Sequence, residues 1–120
     1  MGKQYLTQTL AFSFLVVNGK WIIFMHMIKL TELEIQNALL SLEGWKMEKE
    51  GIIKNFVFEN FKDALASMNR IGEVAEEMNH HPEWFNVYNK LDIRLSTHDK
   101  GGITQLDIDL AKAIEEIVTS

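Results

Sequence analysis

The sequence predicts an α+β domain with the element order α-β-β-α-β-β-α, in which three helices pack on one face of a four-stranded antiparallel sheet. Three observations lead to this fold class. In three segments apolar residues recur every three or four positions, and each segment begins at a residue that can cap a helix. Four shorter segments, grouped in two pairs, alternate apolar and polar residues around a short turn. The length of 120 residues fits one such domain.

The first helix and hairpin occupy residues 31–58. Residues 31–34, Thr-Glu-Leu-Glu, have capping-box spacing and predict a helix start, and Gly44 predicts a left-handed end. One apolar stripe runs along Ile35, Ala38, Leu39 and Leu42. The period then changes, so residues 45–49 and 52–58 are predicted to form two strands joined by a turn at Glu50-Gly51.

A second helix is predicted after Asn60, whose side chain can cap it. The helix should end near His80, because Pro82 disfavours helical geometry at the residue before it. Seven apolar residues keep helical spacing for about five turns: Phe61, Ala64, Leu65, Met68, Ile71, Ala75 and Met78.

A second hairpin and a last helix complete the domain. Residues 84–88 and 91–97 are predicted strands with Asn89-Lys90 between them, and residues 98–102 form a loop. Residues 104–107 repeat the cap pattern before the last helix. In the last strand one side is apolar, with Leu91, Ile93, Leu95 and Thr97, and the other is polar, with Asp92, Arg94 and Ser96.

Composition and charge restrict the function classes. The chain has no cysteine, which excludes disulfides, thiolate metal sites and cysteine nucleophiles, and leaves the cytoplasm as the default location. Acidic residues outnumber basic ones by 17 to 12, giving a formal charge of −5. Such a surface repels phosphate backbones and anionic lipid on average, so we expect no direct nucleic-acid or membrane binding.

Residues 1–30 form a distinct apolar N-terminal extension, and the domain itself spans residues 31–120. A signal peptide or membrane span fits badly, because residues 18–20 (Asn-Gly-Lys) interrupt the apolar run and no small-x-small cleavage site follows. One interpretation is an extra hairpin that turns at "VNGK". The preferred one is an upstream start, with Met25 or Met27 as the true first residue and His26 incidental.

A sheet that helices cover on one side leaves its other face exposed unless another chain covers it. We therefore expect a homo-oligomer. The alternative is that the open face is merely polar, which small antiparallel sheets tolerate.

The stretch "EEMNHHPEWFNVYNK" contains the candidate catalytic residues Glu76, His80 and His81. Glu76 lies four residues before His80, so its carboxylate is expected to hold that imidazole if the helix persists. Pro82 forces His81 into extended geometry, so it should project differently from its neighbour. His98 follows the last strand, where site residues tend to gather. Imidazole exchanges protons near neutral pH, so three such groups beside one pocket suit acid/base chemistry.

A metal site built from the same four side chains is the competing interpretation. Adjacent histidines splay apart, however, and no spacing matches a zinc signature such as HExxH, so no metal is predicted. Trp84 is either a core or interface residue or an aromatic wall for a flat ring.

The motifs "HHPEWFNVYNK" and "LSTHDKGGITQLDIDLA" closely resemble the signature of the pterin-4a-carbinolamine dehydratases, also known as dimerization cofactors of a homeodomain transcription factor. The likeness covers about residues 31–118. It implies the same α-β-β-α-β-β-α fold, homodimers that pair into homotetramers, and no metal or organic cofactor. It also implies a reaction, the loss of water from 4a-hydroxytetrahydrobiopterin to give quinonoid dihydrobiopterin in tetrahydrobiopterin recycling.

The resemblance implies roles for single residues as well. His80, His81 and His98 would line the pterin pocket; of these we assign His80 and His98 to proton exchange and His81 mainly to binding. Glu76 would orient His80, and Asp107 would cap the last helix. The substrate-contacting positions would be Asn79, Trp84, Ser96, Thr97 and Asp99. The alternative function implied is non-catalytic binding of a protein partner, such as a transcription factor whose dimers this fold stabilises.

Overall fold

The computed structural model describes residues 28–120 and, before them, the backbone of two short strands. These strands, β1 (Phe14–Val17) and β2 (Lys20–Ile23), pair antiparallel in a sheet of their own. Their pairing agrees with the hairpin interpretation of this segment. The turn at Asn18-Gly19, His26 and the two candidate start residues Met25 and Met27 lie outside the described residues.

The predicted order α-β-β-α-β-β-α is confirmed from residue 32 onward. A 3₁₀ helix at His98–Lys100 occupies the predicted loop before the last helix. The elements are α1 (Glu32–Leu39), β3 (Lys46–Glu48), β4 (Gly51–Val57), α2 (Phe61–Met78), β5 (Glu83–Val87), β6 (Lys90–Leu95) and α3 (Gln105–Thr119). Within the described part of the chain, no helix is both long and apolar enough to cross a lipid bilayer.

The four later strands form one antiparallel sheet in the order β3-β4-β6-β5. Both hairpin turns lie one residue earlier than predicted, at Lys49-Glu50 and at Tyr88-Asn89. In each turn the first residue has a positive φ, 55° for Lys49 and 51° for Tyr88. Such backbone geometry usually selects glycine or asparagine, which is why neither residue was predicted to lie in a turn.

The core lies between the sheet and the helices. Alternation along β6 places Leu91, Ile93 and Leu95 in this core, as predicted, while Asp92 and Arg94 face the opposite side, which we call the open face of the sheet. Leu42 is buried although α1 ends before it. The buried apolar residues shared among the elements include Ile35, Trp45, Ile52, Phe56, Ile71, Ile108, Leu110 and Ile114.

The helix starts follow the predicted caps. Thr31 and Thr104 each form a complete capping box, with Glu34 and Asp107 as their partners, and the Asn60 side chain accepts from the Asp63 amide. The start of α3 lies beside the end of α2, because Asp107 in its first turn contacts His80 just after α2.

The end of α2 determines how the chain enters the paired histidines. The helix stops at Met78, and Asn79 adopts a left-handed conformation with φ 51°. The amide of His80 then donates to the Ala75 carbonyl at 3.0 Å, which closes the helix end. The chain therefore reverses at Asn79, and His80 and His81 leave the helix in different directions.

Candidate functional site

His80 is buried, with only 9% of its surface exposed, and its imidazole faces the start of α3. Its Nε2 atom lies 2.6 Å from Oδ1 of Asp107. Because an ionised carboxylate can only accept, Nε2 carries the hydrogen of this bond. The contact therefore fixes the tautomer of His80 and leaves Nδ1 as its acceptor nitrogen.

Asp107 is fully buried, and its carboxylate accepts from three groups. Oδ1 accepts from His80, while Oδ2 accepts from the Thr97 hydroxyl at 2.7 Å and from the Thr104 amide at 2.9 Å. A buried carboxylate needs such donors to offset the loss of water. Asp107 thus joins the segment after α2, the segment after β6 and the first turn of α3.

The predicted contact between Glu76 and His80 is wrong. Glu76 instead pairs with His81, whose Nε2 lies 2.8 Å from Oε1 of the carboxylate. Side chains four residues apart share a face only while the helix continues. The left-handed residue Asn79 breaks that relation and carries His80 toward α3, which brings His81 back over the exposed side of α2.

His81 and His98 line the same cavity, of about 230 Å³, at the end of β6. We call it the histidine cavity. Ser96 also lines it, and its hydroxyl is held by donation to the Glu50 carbonyl at 2.7 Å. The other lining residues are Glu50, Glu83 and Arg94. Two imidazoles from separate segments therefore face one space that also contains carboxylates and a guanidinium.

The remaining predicted residues lie around this cavity rather than in its wall. Glu76 stands behind His81, and Thr97 is held by Asp107. Asn79 is the left-handed end of α2, and Asp99 is exposed in the 3₁₀ helix. Trp84 pairs with the core residue Ile93 across β5 and β6, so its side chain lies on the helix side of the sheet.

The sequence did not indicate three of the lining residues, nor the contact of Asp107 with His80. Asp107 was assigned only as a helix cap. Because a cap uses one carboxylate oxygen, the second oxygen could have indicated a further hydrogen-bond donor nearby. Arg94 lies on the polar side of β6, which the alternation did reveal. For Glu50 and Glu83 the pattern held no signal, because their place depends on the pairing of distant strands.

The chemistry available to the cavity is proton transfer. Imidazoles at His81 and His98 can each donate or accept a proton, and His81 is held in place by its contact with Glu76. Within residues 28–120, no three histidine, aspartate or glutamate side chains are grouped as metal ligands.

A comparison with protein families matches residues 28–117 to the model described as pterin 4 alpha carbinolamine dehydratase. One relative, from Christiangramia forsetii, is 52% identical over 94 residues, which cover 78% of this chain and 97% of the relative. It is named "Putative pterin-4-alpha-carbinolamine dehydratase". The matched residues include all the side chains of the histidine cavity.

Solved structures with the same fold carry different descriptions. A crystal structure from Brucella melitensis, described as a transcriptional coactivator/pterin dehydratase, has a TM-score of 0.75 and 41% identity, and the match covers 76% of this chain and 99% of that one. A pterin dehydratase-like protein described as a RuBisCO assembly factor in the alpha-carboxysome has a TM-score of 0.53 and 17% identity, covering 63% and 88%. The second likeness shows the fold alone.

Proposed function

The chain belongs to the pterin 4 alpha carbinolamine dehydratase family, and we propose that it removes water from 4a-hydroxytetrahydrobiopterin to give quinonoid dihydrobiopterin. One observation carries this proposal: His81 and His98, which lie in separate segments of the chain, face the same cavity. The buried Asp107 supports their arrangement, because it bonds the residue before His81 and the residue before His98.

The reaction breaks the bond between C4a and the hydroxyl oxygen. That oxygen receives a proton and leaves as water, while the neighbouring ring nitrogen N5 loses a proton and forms a double bond to C4a. One general acid and one general base are therefore sufficient, and each typically contributes about 10² to 10⁴-fold. No covalent intermediate is required.

We assign the two proton transfers to His81 and His98, since both line the histidine cavity. His80 becomes a positioning residue, because its Nε2–H is committed to Asp107 inside the protein. This assignment revises the expectation that His80 exchanges protons while His81 mainly binds. With Nε2 of His81 donating to Glu76, its Nδ1 is the nitrogen that can accept a proton.

Stopped-flow measurement of dehydration with freshly prepared carbinolamine tests the assignment. We expect His81→Gln and His98→Gln each to lower kcat by about 10² or more, while both variants keep the urea midpoint of the parent. His26→Gln is the matched control and should leave the rate unchanged. Parent-like turnover in both cavity variants would rule out the assignment of the proton transfers to His81 and His98, whereas absence of turnover in the parent would rule out the proposed reaction.

The metabolic role we propose is recycling of the tetrahydrobiopterin cofactor in the cytoplasm, which the acidic, cysteine-free composition supports. No metal or organic cofactor is needed, because acid/base groups supply the whole reaction. Adding the chain to an aromatic amino acid hydroxylase assay that has limiting pterin and a reductant for the quinonoid dihydropterin should sustain turnover. Pretreatment with a chelator should leave the dehydration rate unchanged.

A second candidate function is binding of a protein partner through α2. Phe61 and Leu65, one helical turn apart, are 44% and 42% exposed on one side of this helix. Exposed apolar residues of this kind suit association with another helix. The double variant Phe61→Ser/Leu65→Ser should keep the dehydration rate and lose binding to the protein partner. A matched Lys62→Ser variant should keep both the rate and the binding.

A further inference from the structure

The imidazole of His98 is held differently from those of His80 and His81. His80 is bonded to Asp107, and His81 is bonded to Glu76. Within residues 28–120, by contrast, the His98 imidazole makes no hydrogen bond or ion pair. Its place in the histidine cavity therefore depends on the backbone segment that carries it.

That segment is a short loop, residues 97–102, which we call the histidine loop. Its first residue, Thr97, and its last, Gly102, form an antiparallel bridge in which the Thr97 amide donates to the Gly102 carbonyl at 2.8 Å. The 3₁₀ helix that begins with His98 lies between them. Asp107 holds the first end of the loop through the Thr97 hydroxyl. The path of the loop therefore depends equally on what holds Gly102.

The chain just before α1 closes over this second end of the loop. The Leu30 amide donates to the Ile103 carbonyl at 2.7 Å. The side chain of Lys29 lies across Gly102, because a Cβ added to this glycine would stand 2.8 Å from Cε, 3.2 Å from Cδ and 3.3 Å from Cγ of the lysine. Three consecutive carbons of the lysine stem thus cover Gly102. We call Lys29 and Leu30 the N-terminal strap.

The strap acts through the stem of Lys29 rather than through its charge. Among residues 28–120 the ammonium has no hydrogen bond or ion pair, and the lysine as a whole is exposed. Lysine commonly lays its methylene groups on the protein while its charge stays in water. Gly102 is buried and lacks the positive φ of Gly101. Glycine at this position therefore makes room for the stem and does not serve a left-handed turn.

We propose that Lys29 is a positioning residue for His98. Its stem shields the bridge between Thr97 and Gly102 from water, where a hydrogen bond is stronger, and so fixes the loop that directs the imidazole into the cavity. The inference rests on the proposed dehydratase function, since a displacement of about 1 Å can cost a reaction about 10²-fold. The matched family model begins at residue 28 and thus includes the strap.

Two variants separate the stem of Lys29 from its charge. Lys29→Ala removes both, whereas Lys29→Met keeps a long unbranched side chain without charge. We expect Lys29→Ala to lower kcat for dehydration by roughly tenfold with little change in KM, because a misplaced proton donor or acceptor slows the chemical step. Lys29→Met should stay within about twofold of the parent. A loss in Lys29→Met as large as in Lys29→Ala would overturn the role of the stem. Lys112→Ala, exposed on α3, is the matched control and should keep the parent's kcat.

Gly102→Ala tests the same contact from its other side, since the new methyl group displaces the stem. We expect the same fall in kcat as in Lys29→Ala, with no further fall in the double variant. Gly72→Ala is the control glycine, because nothing lies within 4 Å of a Cβ added there. The urea midpoints of Lys29→Ala and Gly102→Ala should remain those of the parent.

A last comparison distinguishes positioning of His98 from a general structural role. In a His98→Gln background Lys29→Ala should cause no further loss of kcat, whereas in a His81→Gln background it should still cause the roughly tenfold loss. The histidine ring signals in NMR give a readout independent of turnover: Lys29→Ala should shift or broaden the signal of His98 and leave that of His80 unchanged.

Parent-like kcat in both Lys29→Ala and Gly102→Ala, or equal losses in the two histidine backgrounds, would overturn the role of the strap. An unchanged His98 ring signal in Lys29→Ala would overturn it as well. Absence of turnover in the parent would overturn the proposed function, and the ring signals would then decide on the strap alone.

Discussion

His80 and Asp107 form a buried contact of 2.6 Å that joins the end of α2 to the first turn of α3. The same carboxylate also holds Thr97, the residue before His98. The two segments that carry His81 and His98 are therefore positioned by one side chain that does not itself line the histidine cavity.

Replacing Asp107 should cost both stability and activity. Asp107→Ala leaves the imidazole of His80, the Thr97 hydroxyl and the Thr104 amide without their acceptor. Breaking a buried pair in this way costs about 3–5 kcal/mol, so we expect the free energy of unfolding in urea to fall by that amount.

The control for this variant is Asp63→Ala, which also removes a carboxylate from the first turn of a helix. Asp63 is exposed, so its loss should cost at most about 1 kcal/mol. Equal losses in the two variants would show that Asp107 acts only as a helix cap.

Glu76 is expected to position His81. Glu76→Gln weakens the contact at 2.8 Å, and because both side chains are exposed we expect kcat to fall by at most about fivefold. The parent's advantage over the variant should shrink at high salt, which screens an exposed pair. The neighbouring Glu77→Gln is the control, and a salt-independent deficit would contradict a positioning role.

Glu115 on α3 joins that helix to the sheet. Its Oε2 accepts from the Trp45 indole at 2.8 Å and from Lys54 at 2.7 Å. Glu115→Ala should lower the free energy of unfolding by about 1–3 kcal/mol, because a largely buried indole N–H loses its acceptor. Glu116→Ala is the adjacent control and should change it little.

Tyr88 is expected to destabilise the turn in which it lies. Its φ of 51° lies in the left-handed region, whereas 62% of its surface is exposed and contributes little packing. Tyr88→Asn should raise the free energy of unfolding by up to about 1 kcal/mol. Tyr88→Ala removes the same ring without favouring the left-handed conformation, so a gain in both variants would refute the argument from φ.

We expect the chain to form homodimers or homotetramers in solution. Phe85 and Val87 remain 65% and 54% exposed on edge strand β5, in addition to the exposed pair Phe61 and Leu65 on α2. Sedimentation equilibrium should give a mass of two or four chains. Phe61→Ser/Leu65→Ser should lower that mass, and a monomeric parent would contradict the expectation.

Local patterns were sufficient to predict the element order but not the contacts within the site. The capping residues Thr31, Asn60 and Thr104 and the alternation along β6 are signals carried by neighbouring residues, so the fold followed from them. The turn at Tyr88 was missed because a bulky residue adopts positive φ there against its own preference.

Residue spacing predicted a contact between Glu76 and His80, whereas the structure pairs Glu76 with His81. Spacing alone does not determine which of the two histidines the carboxylate meets. Glu76 is four residues before His80, and a continuous helix would have brought them together. One left-handed residue, Asn79, reverses the chain and assigns Glu76 to His81 and Asp107 to His80. Which acceptor a side chain finds after such a reversal depends on distant packing.

Oδ1 of Asp107 accepts from His80 while Oδ2 accepts from the Thr104 amide, so the start of α3 and the position of His80 depend on the same side chain. When the first turn of α3 opens transiently, the Thr104 amide loses its acceptor at the same moment as His80 does. Hydrogen exchange at that amide should therefore track the fraction of molecules competent for chemistry. Natural selection for a stable start of α3 and natural selection for correctly placed histidines therefore both act on Asp107.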